Sequence, residues 1–150
     1  MLYRKAFATP VLSVGQFYHD NMVMGGLLTF DFRDNKLNGT VGLLTIIDNN
    51  KSKRAHIHLY CFDAPPSNHN DQSKFEPNAR DMHKLIGRID VDSDDYVHVG
   101  ERSYINKPVY DLYFDLDDKS IYAYAICMGQ TPTFAAADDL AFKLGIYLNT

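Results

Sequence analysis

Two histidines lie two positions apart, at His56 and His58, in a segment with the composition of a β-strand. Side chains alternate along a strand, so His56, His58 and Tyr60 share one face while the apolar residues between them share the other. Two imidazoles at this spacing can bind one divalent metal ion, for which zinc normally takes a third protein ligand. The alternative is a pair of exposed or hydrogen-bonded structural histidines, which such a short pattern favours.

Tyrosines and one further histidine extend this pattern to neighbouring segments. Tyr122 and Tyr124 share a face of their strand, and Tyr113 lies opposite an apolar stripe. Tyrosine buries a large area at low entropic cost and keeps a hydroxyl for hydrogen bonding, which suits a protein partner or a sugar. We therefore predict a Tyr/His-rich sheet face. Its predicted binding residues are His56, His58, Tyr60, His98, Tyr113, Tyr122 and Tyr124.

The aromatic residues divide into two groups. The chain has 10 Tyr, 9 Phe and no Trp. Phe30, Phe32 and Phe114 fall on strand faces with a buried pattern, whereas many tyrosines fall opposite the apolar stripe or beside His and Asp. This division predicts a Phe-rich interior and a Tyr-rich outer face.

The sequence contains no catalytic motif. It has no GxSxG nucleophile elbow, no Walker A loop and no GxGxxG turn. From Asp90 to Glu101 the acids have the spacing of an EF-hand loop, but Asp95 stands where that loop requires glycine. Because strand-like residues flank this segment, we interpret it as a hairpin with an acidic turn. The sequence thus predicts no catalytic residue and favours a protein that is not an enzyme.

Charge, cysteine content and hydropathy narrow the partners. The formal net charge is −4, and the basic cluster from Lys51 to Arg54 follows a turn-like string, so we expect no nucleic-acid partner. Cys61 and Cys127 lie in apolar runs and are predicted to be buried free thiols, with a mutual disulfide as the alternative. No signal peptide or apolar run of membrane-spanning length is visible, which predicts a cytoplasmic or otherwise intracellular protein without a membrane partner.

Strand signals separated by turn residues dominate the chain. Residues 27–32, 37–47 and 55–62 are joined by short polar strings and predict an antiparallel meander. Further strands are predicted over residues 85–91, 96–99, 109–116 and 120–128.

Two segments depart from this strand pattern. Residues 63–80 are rich in Pro, Asn, Asp and Ser and predict a long surface loop with one helical turn near its end. Towards the C-terminal end, Leu140, Leu144 and Tyr147 are spaced like one face of a helix. This spacing predicts a short helix within residues 135–148, with a final strand over residues 145–148 as the alternative.

These elements predict one domain over residues 1–150 with an all-β, or β-rich α+β, fold. Seven or eight short strands favour an antiparallel sandwich or a closed barrel, because either architecture limits exposed strand edges. The predicted function is a non-catalytic binding or assembly module that contacts a protein partner, or itself, through the Tyr/His-rich face. The first alternative is a small metal-dependent β-barrel enzyme with His56 and His58 as ligands to a divalent metal. The second alternative is a carbohydrate-binding module, and no other cofactor is expected.

Overall fold

The fold is an antiparallel β-sandwich. The computed structural model describes residues 2–33, 37–50, 54–129 and 132–149. Within these residues there is one short α-helix, α1 (Ala79–His83), and ten strands. The strands are β1 (Leu2–Ala8), β2 (Leu28–Asp31), β3 (Asn38–Asp48), β4 (Ile57–Phe62), β5 (Leu85–Val91), β6 (Val97–Val99), β7 (Arg102–Pro108), β8 (Tyr113–Asp115), β9 (Ser120–Cys127) and β10 (Leu140–Leu148).

The strands form two sheets whose inner faces enclose a common core. The six-stranded sheet has the order β1-β10-β3-β7-β6, and β8 pairs with the start of β3. The four-stranded sheet has the order β2-β9-β4-β5. Alternation directs Leu44 and Ile46 of β3, and Leu59 of β4, into the core, where Phe30 and Phe142 are also fully buried. Burial of these apolar side chains is the main stabilising contribution to such a fold.

The sandwich prediction is confirmed, and the two sheets do not close into a barrel. The described strands outnumber the predicted seven or eight because short pairings such as β6 and β8 have three residues each. The predicted interior is also confirmed for Phe30, Phe32 and Phe114, all of which are buried.

The predicted meander is wrong. β2 and β4 belong to the four-stranded sheet, whereas β3, which lies between them in the chain, belongs to the six-stranded sheet. A short polar connection can turn a chain back beside the preceding strand or carry it across to the opposite sheet, because both need the same turn residues. The connections at residues 34–36 and 51–53, which include most of the basic cluster, lie outside the described residues.

The predicted C-terminal helix is also wrong. β10 occupies this part of the chain and pairs with β1 on one side and β3 on the other. Leu140 and Leu144 are four residues apart, a spacing that helices and strands both place on one face. Phe142 and Ile146 complete a period of two, and all four side chains are buried. Burial between two neighbouring strands therefore outweighs the helical spacing.

The acidic segment after β5 connects the two sheets and does not form the predicted hairpin. β5 lies in the four-stranded sheet and β6 in the six-stranded sheet. Between them a 3-10 turn, Ser93–Asp95, is capped by the Asp92 carboxylate, which accepts a hydrogen bond from the Asp94 backbone N–H. Among the described residues, no helix has the length and hydropathy needed to cross a lipid bilayer.

Candidate binding surface

The outer faces of the two sheets differ in whether other segments of the chain pack over them. The outer face of the four-stranded sheet carries His58, Tyr60 and Phe62 of β4 and Tyr122, Tyr124 and Ile126 of β9, paired across the strands. We call it the covered face, because residues 63–78 pack over it, with Phe75 against Tyr60 and Tyr124, and Val23 packs at its edge beside β9. We call the outer face of the six-stranded sheet the open face.

Most of the predicted Tyr/His-rich face lies on the covered face. Tyr124 is fully buried there, and its hydroxyl donates to the Ser67 carbonyl (3.0 Å) and accepts from the His69 backbone N–H (2.9 Å). The Tyr60 ring lies 4.8 Å from the ring of Phe75. The Tyr122 hydroxyl donates to the Asp118 carboxylate at 2.7 Å. Tyr124 and Tyr122 thus form hydrogen bonds within the chain, and Tyr60 packs against another of its residues.

His56 and His58 lie side by side at the edge of this region, with ring centroids 5.8 Å apart. His58 Nε2 is 3.5 Å from Asp90 Oδ1, and its Nδ1 is buried without a hydrogen-bond partner among the described residues. Burial lowers the pKa of His58, although Asp90 acts in the opposite direction. Within the described part of the chain, no group of three His, Cys, Asp or Glu side chains is arranged to hold a metal ion.

Two buried or half-buried carboxylates hold the covering segments in place. Asp71 accepts hydrogen bonds from the Tyr18 hydroxyl and the Gly25 backbone N–H, both at 2.6 Å, and from the Ser13 hydroxyl. Asp81 accepts from the backbone N–H of Ser67 at 2.7 Å. Charge-assisted bonds of this kind are about twice as strong as neutral ones, so Asp71 ties the loop to residues 13–25 and Asp81 ties the Ser67 region of the loop to α1.

The remaining predicted residues lie elsewhere. His98 is exposed on the edge strand β6, where it pairs with the buried Ser103 and so does not share the open face. Tyr113 is on the open face and is 70% exposed. The structure therefore does not gather the seven predicted residues into one surface. Cys61 and Cys127 are both fully buried thiols and are not joined by a disulfide, as predicted.

The open face carries two groups of exposed apolar and aromatic side chains, which are separated by a row that contains Lys143, Thr45 and Asn106. Cross-strand pairs place them side by side, for example Tyr3 with Tyr147, and Ile47 with Tyr104. Exposed singles are ordinary on protein surfaces, but a contiguous group is typical of interaction sites. The exposed members are Tyr3, Phe7, Ile47, Val97, Val99, Tyr104, Tyr113 and Tyr147.

Two glycines shape one end of the open face. A Cβ atom on Gly145 would overlap the Tyr3 hydroxyl end, and one on Gly42 would overlap the Tyr147 ring. Both tyrosines therefore lie down over the sheet, in the space that the missing side chains leave. Their ring centroids are 5.3 Å apart and their planes are tilted by 53°, so they do not form a flat stacking platform.

The other end of the open face combines cations with apolar side chains. A groove of about 450 Å³ is lined in part by Ile47, Val99, Tyr104, Arg102 and Lys143. The Lys143 ammonium also lies 5.9 Å from the centroid of the Phe7 ring, within the range of a cation–π contact.

Sequence reasoning missed most of the open face. Tyr147 and Lys143 were assigned to the predicted C-terminal helix, and β1 was not recognised as a strand. Both faces of β1 mix polar and apolar residues, with Arg4 beside Leu2 and Ala6 on one face and Phe7 beside Lys5 on the other, so its sequence carries no clear alternation signal. Comparison with protein-family models, curated proteins and solved structures found no match to this chain.

Proposed function

We propose that this protein is a non-catalytic binding or assembly module and that it contacts another protein surface through the open face. One observation carries this proposal: residues 63–78 cover the outer face of one sheet, whereas none of the described segments packs over the aromatic outer face of the other. Water contact with so many apolar side chains is unfavourable, and a protein partner would remove it.

The size of the open face supports a protein partner. Five neighbouring strands at about 4.8 Å spacing, and about 25 Å long, cover roughly 600 Å². Two such surfaces in contact would bury about 1,200 Å², the lower end of the range for specific protein complexes. Tyrosines anchor many such interfaces because they combine a large apolar area with a hydroxyl.

Site-specific photo-crosslinking tests the proposal. A photoreactive phenylalanine analogue replaces Tyr104 on the open face or, as the control, Tyr110, which is 78% exposed outside it. In the cells that make the protein, we expect the probe at position 104 to give one defined adduct, identified by mass spectrometry. The adduct should disappear when Ile47→Glu is added, because a carboxylate would then be buried in the contact.

The proposal is overturned by equal labelling at positions 104 and 110, or by no adduct at position 104. It is also overturned if the adduct is unchanged by Ile47→Glu. Because Ile47 is exposed, this substitution should leave the fold intact. Circular dichroism of the purified variant checks that expectation.

A further inference from the structure

We infer that the occupant of the open face is a second copy of this chain, related by a two-fold axis that runs parallel to β3. This inference rests on the proposed function and names the partner at the same surface. It follows from three features of the face: its area, its strand order and the positions of its cations.

The area of the open face is sufficient for a homodimer. The roughly 1,200 Å² buried by two copies lies within the range found for stable complexes. A two-fold dimer uses the same patch on both copies, so the patch must be complementary to itself. Self-complementarity therefore depends on which residues the axis brings together.

Strand order makes β3 the centre of the face. In the order β1-β10-β3-β7-β6, two strands lie on each side of it. An axis above and parallel to β3 places β10 of one copy over β7 of the other, and leaves β3 over β3. Packed sheets prefer strand directions within about 30° of each other, and an axis parallel to β3 keeps the strands of the two copies within that range.

The cations distinguish this axis from its main competitor. Lys143 on β10 and Asn106 on β7 lie in one row across the sheet, because both are level with Thr45 of β3. The axis parallel to β3 therefore places Lys143 over Asn106 of the second copy; its side-chain oxygen accepts from the Thr45 hydroxyl at 2.7 Å and has a second lone pair that can accept from the ammonium. An axis across the strands at this row would instead bring the two Lys143 ammonium groups together, which is unfavourable.

The competing arrangements predict different neighbours on the axis. With the axis parallel to β3, Ile47 lies opposite Ile47 of the second copy. Phe7, on β1, is then separated from Phe7 of the second copy by four strand spacings, about 19 Å. With the axis across the strands at the row of Phe7, Lys143 and Thr45, the two Phe7 side chains meet and the two Ile47 side chains move apart.

Cysteine crosslinking tests the arrangement in the full chain. Ile47→Cys and Phe7→Cys are compared, with Met82→Cys on α1 as an exposed control away from the face. The native thiols of Cys61 and Cys127 are fully buried, so the introduced thiol reports alone. The probe is a bismaleimide that spans about 10 Å, the separation of packed sheets.

We expect sedimentation to show a concentration-dependent dimer and Ile47→Cys to give at least tenfold more crosslinked dimer than Phe7→Cys or Met82→Cys. Preferential crosslinking through Phe7→Cys overturns the axis, and equal crosslinking at all three positions overturns the interface between copies. A wild-type chain that stays monomeric at every concentration overturns the second copy as occupant. In that last case the photo-crosslinking at Tyr104 separately decides the proposed function, because an adduct with a different protein would still support it.

Discussion

The covered face and the open face carry similar residues and differ in what lies above them. Tyr60, Tyr122 and Tyr124 on the covered face pack under or bond to the chain's own segments. Tyr3 and Tyr147 on the open face lie over glycines and are exposed above. An aromatic sheet face thus stabilises the fold when the chain supplies its cover, and becomes a candidate interface when it does not.

The largest expected contrast comes from truncating one phenylalanine on each side. Phe75 is buried against Tyr60 and Tyr124, so Phe75→Ala should lower the unfolding free energy of the protein by about 3 kcal/mol. Phe7 is 62% exposed, so Phe7→Ala should change the unfolding free energy by less than about 0.5 kcal/mol. Urea unfolding measures both. Equal losses of unfolding free energy for the two variants would show that the covered face does not contribute more to stability than the open face.

Acid should affect the two sheets in opposite directions. Burial raises the pKa of Asp48 on β3 to about 6, so the folded chain binds this proton more tightly than the unfolded chain. Its contribution to stability is present below the unfolded pKa, near 3.8, and is lost as pH rises through about 6. Burial lowers the pKa of His58, so its contribution is present above about 6.5 and is lost as pH falls.

Two single variants separate these contributions. Asp48→Asn should remove a stabilisation of up to about 3 kcal/mol that the wild type gains between pH 7 and pH 4. His58→Asn should flatten the loss of stability just below pH 6.5. Unfolding free energies measured at half-unit pH steps test both, with the wild type as reference. Parallel pH profiles for Asp48→Asn and the wild type would contradict the assignment to Asp48.

Removing the Asp71 carboxylate should loosen the cover itself. Asp71→Ala leaves the Tyr18 hydroxyl and the Gly25 N–H without their acceptor, which should cost about 2 kcal/mol. Amide hydrogen exchange should then rise in residues 63–78 and stay unchanged in β10. Asp111→Ala, at an exposed position, is the matched control. Uniform exchange changes across both sheets would indicate that Asp71 supports the whole fold and not only the cover.

The smallest expected effect concerns the glycines under the open face. Gly145→Ala should push the Tyr3 ring away from the sheet while changing the unfolding free energy by less than about 1 kcal/mol. Association through the open face should weaken several-fold, because the displaced Tyr3 ring changes the shape of the surface at this end. A Cβ atom on Gly100 or Gly26 would meet no neighbouring atoms. The backbone φ angles of these two residues, +63° and +77°, nevertheless disfavour any residue except glycine, so neither position provides a suitable control. Met82→Ala, on α1, is the control, and unchanged sedimentation of Gly145→Ala would remove the Tyr3 end from the interface.

Local patterns identified β2 to β6, β8 and β9, but they missed β1 and β7, predicted a helix in place of β10, and did not predict how the strands are arranged. The alternation around Ile57 and Leu59 identified β4 and its buried side, because a strand's two faces are encoded in a period of two. The spacing of Leu140 and Leu144 wrongly indicated a helix, because residues four positions apart share one face of a strand as well as of a helix. The assignment of β2, β3 and β4 to alternating sheets depends on long-range pairing, which turn residues do not encode.

The sequence by itself determined that this chain is rich in antiparallel strands, arranged as a sandwich or a barrel around a Phe-rich interior, since alternation and apolar content are local properties. It also placed tyrosines on outer faces. Only the tertiary structure decided which outer face the chain covers, because the folding of residues 63–78 over β4 and β9 is set by Asp71, Asp81 and Phe75 contacts between distant segments. That choice leaves Tyr3, Tyr104, Tyr113 and Tyr147 on the face that we propose as the interface.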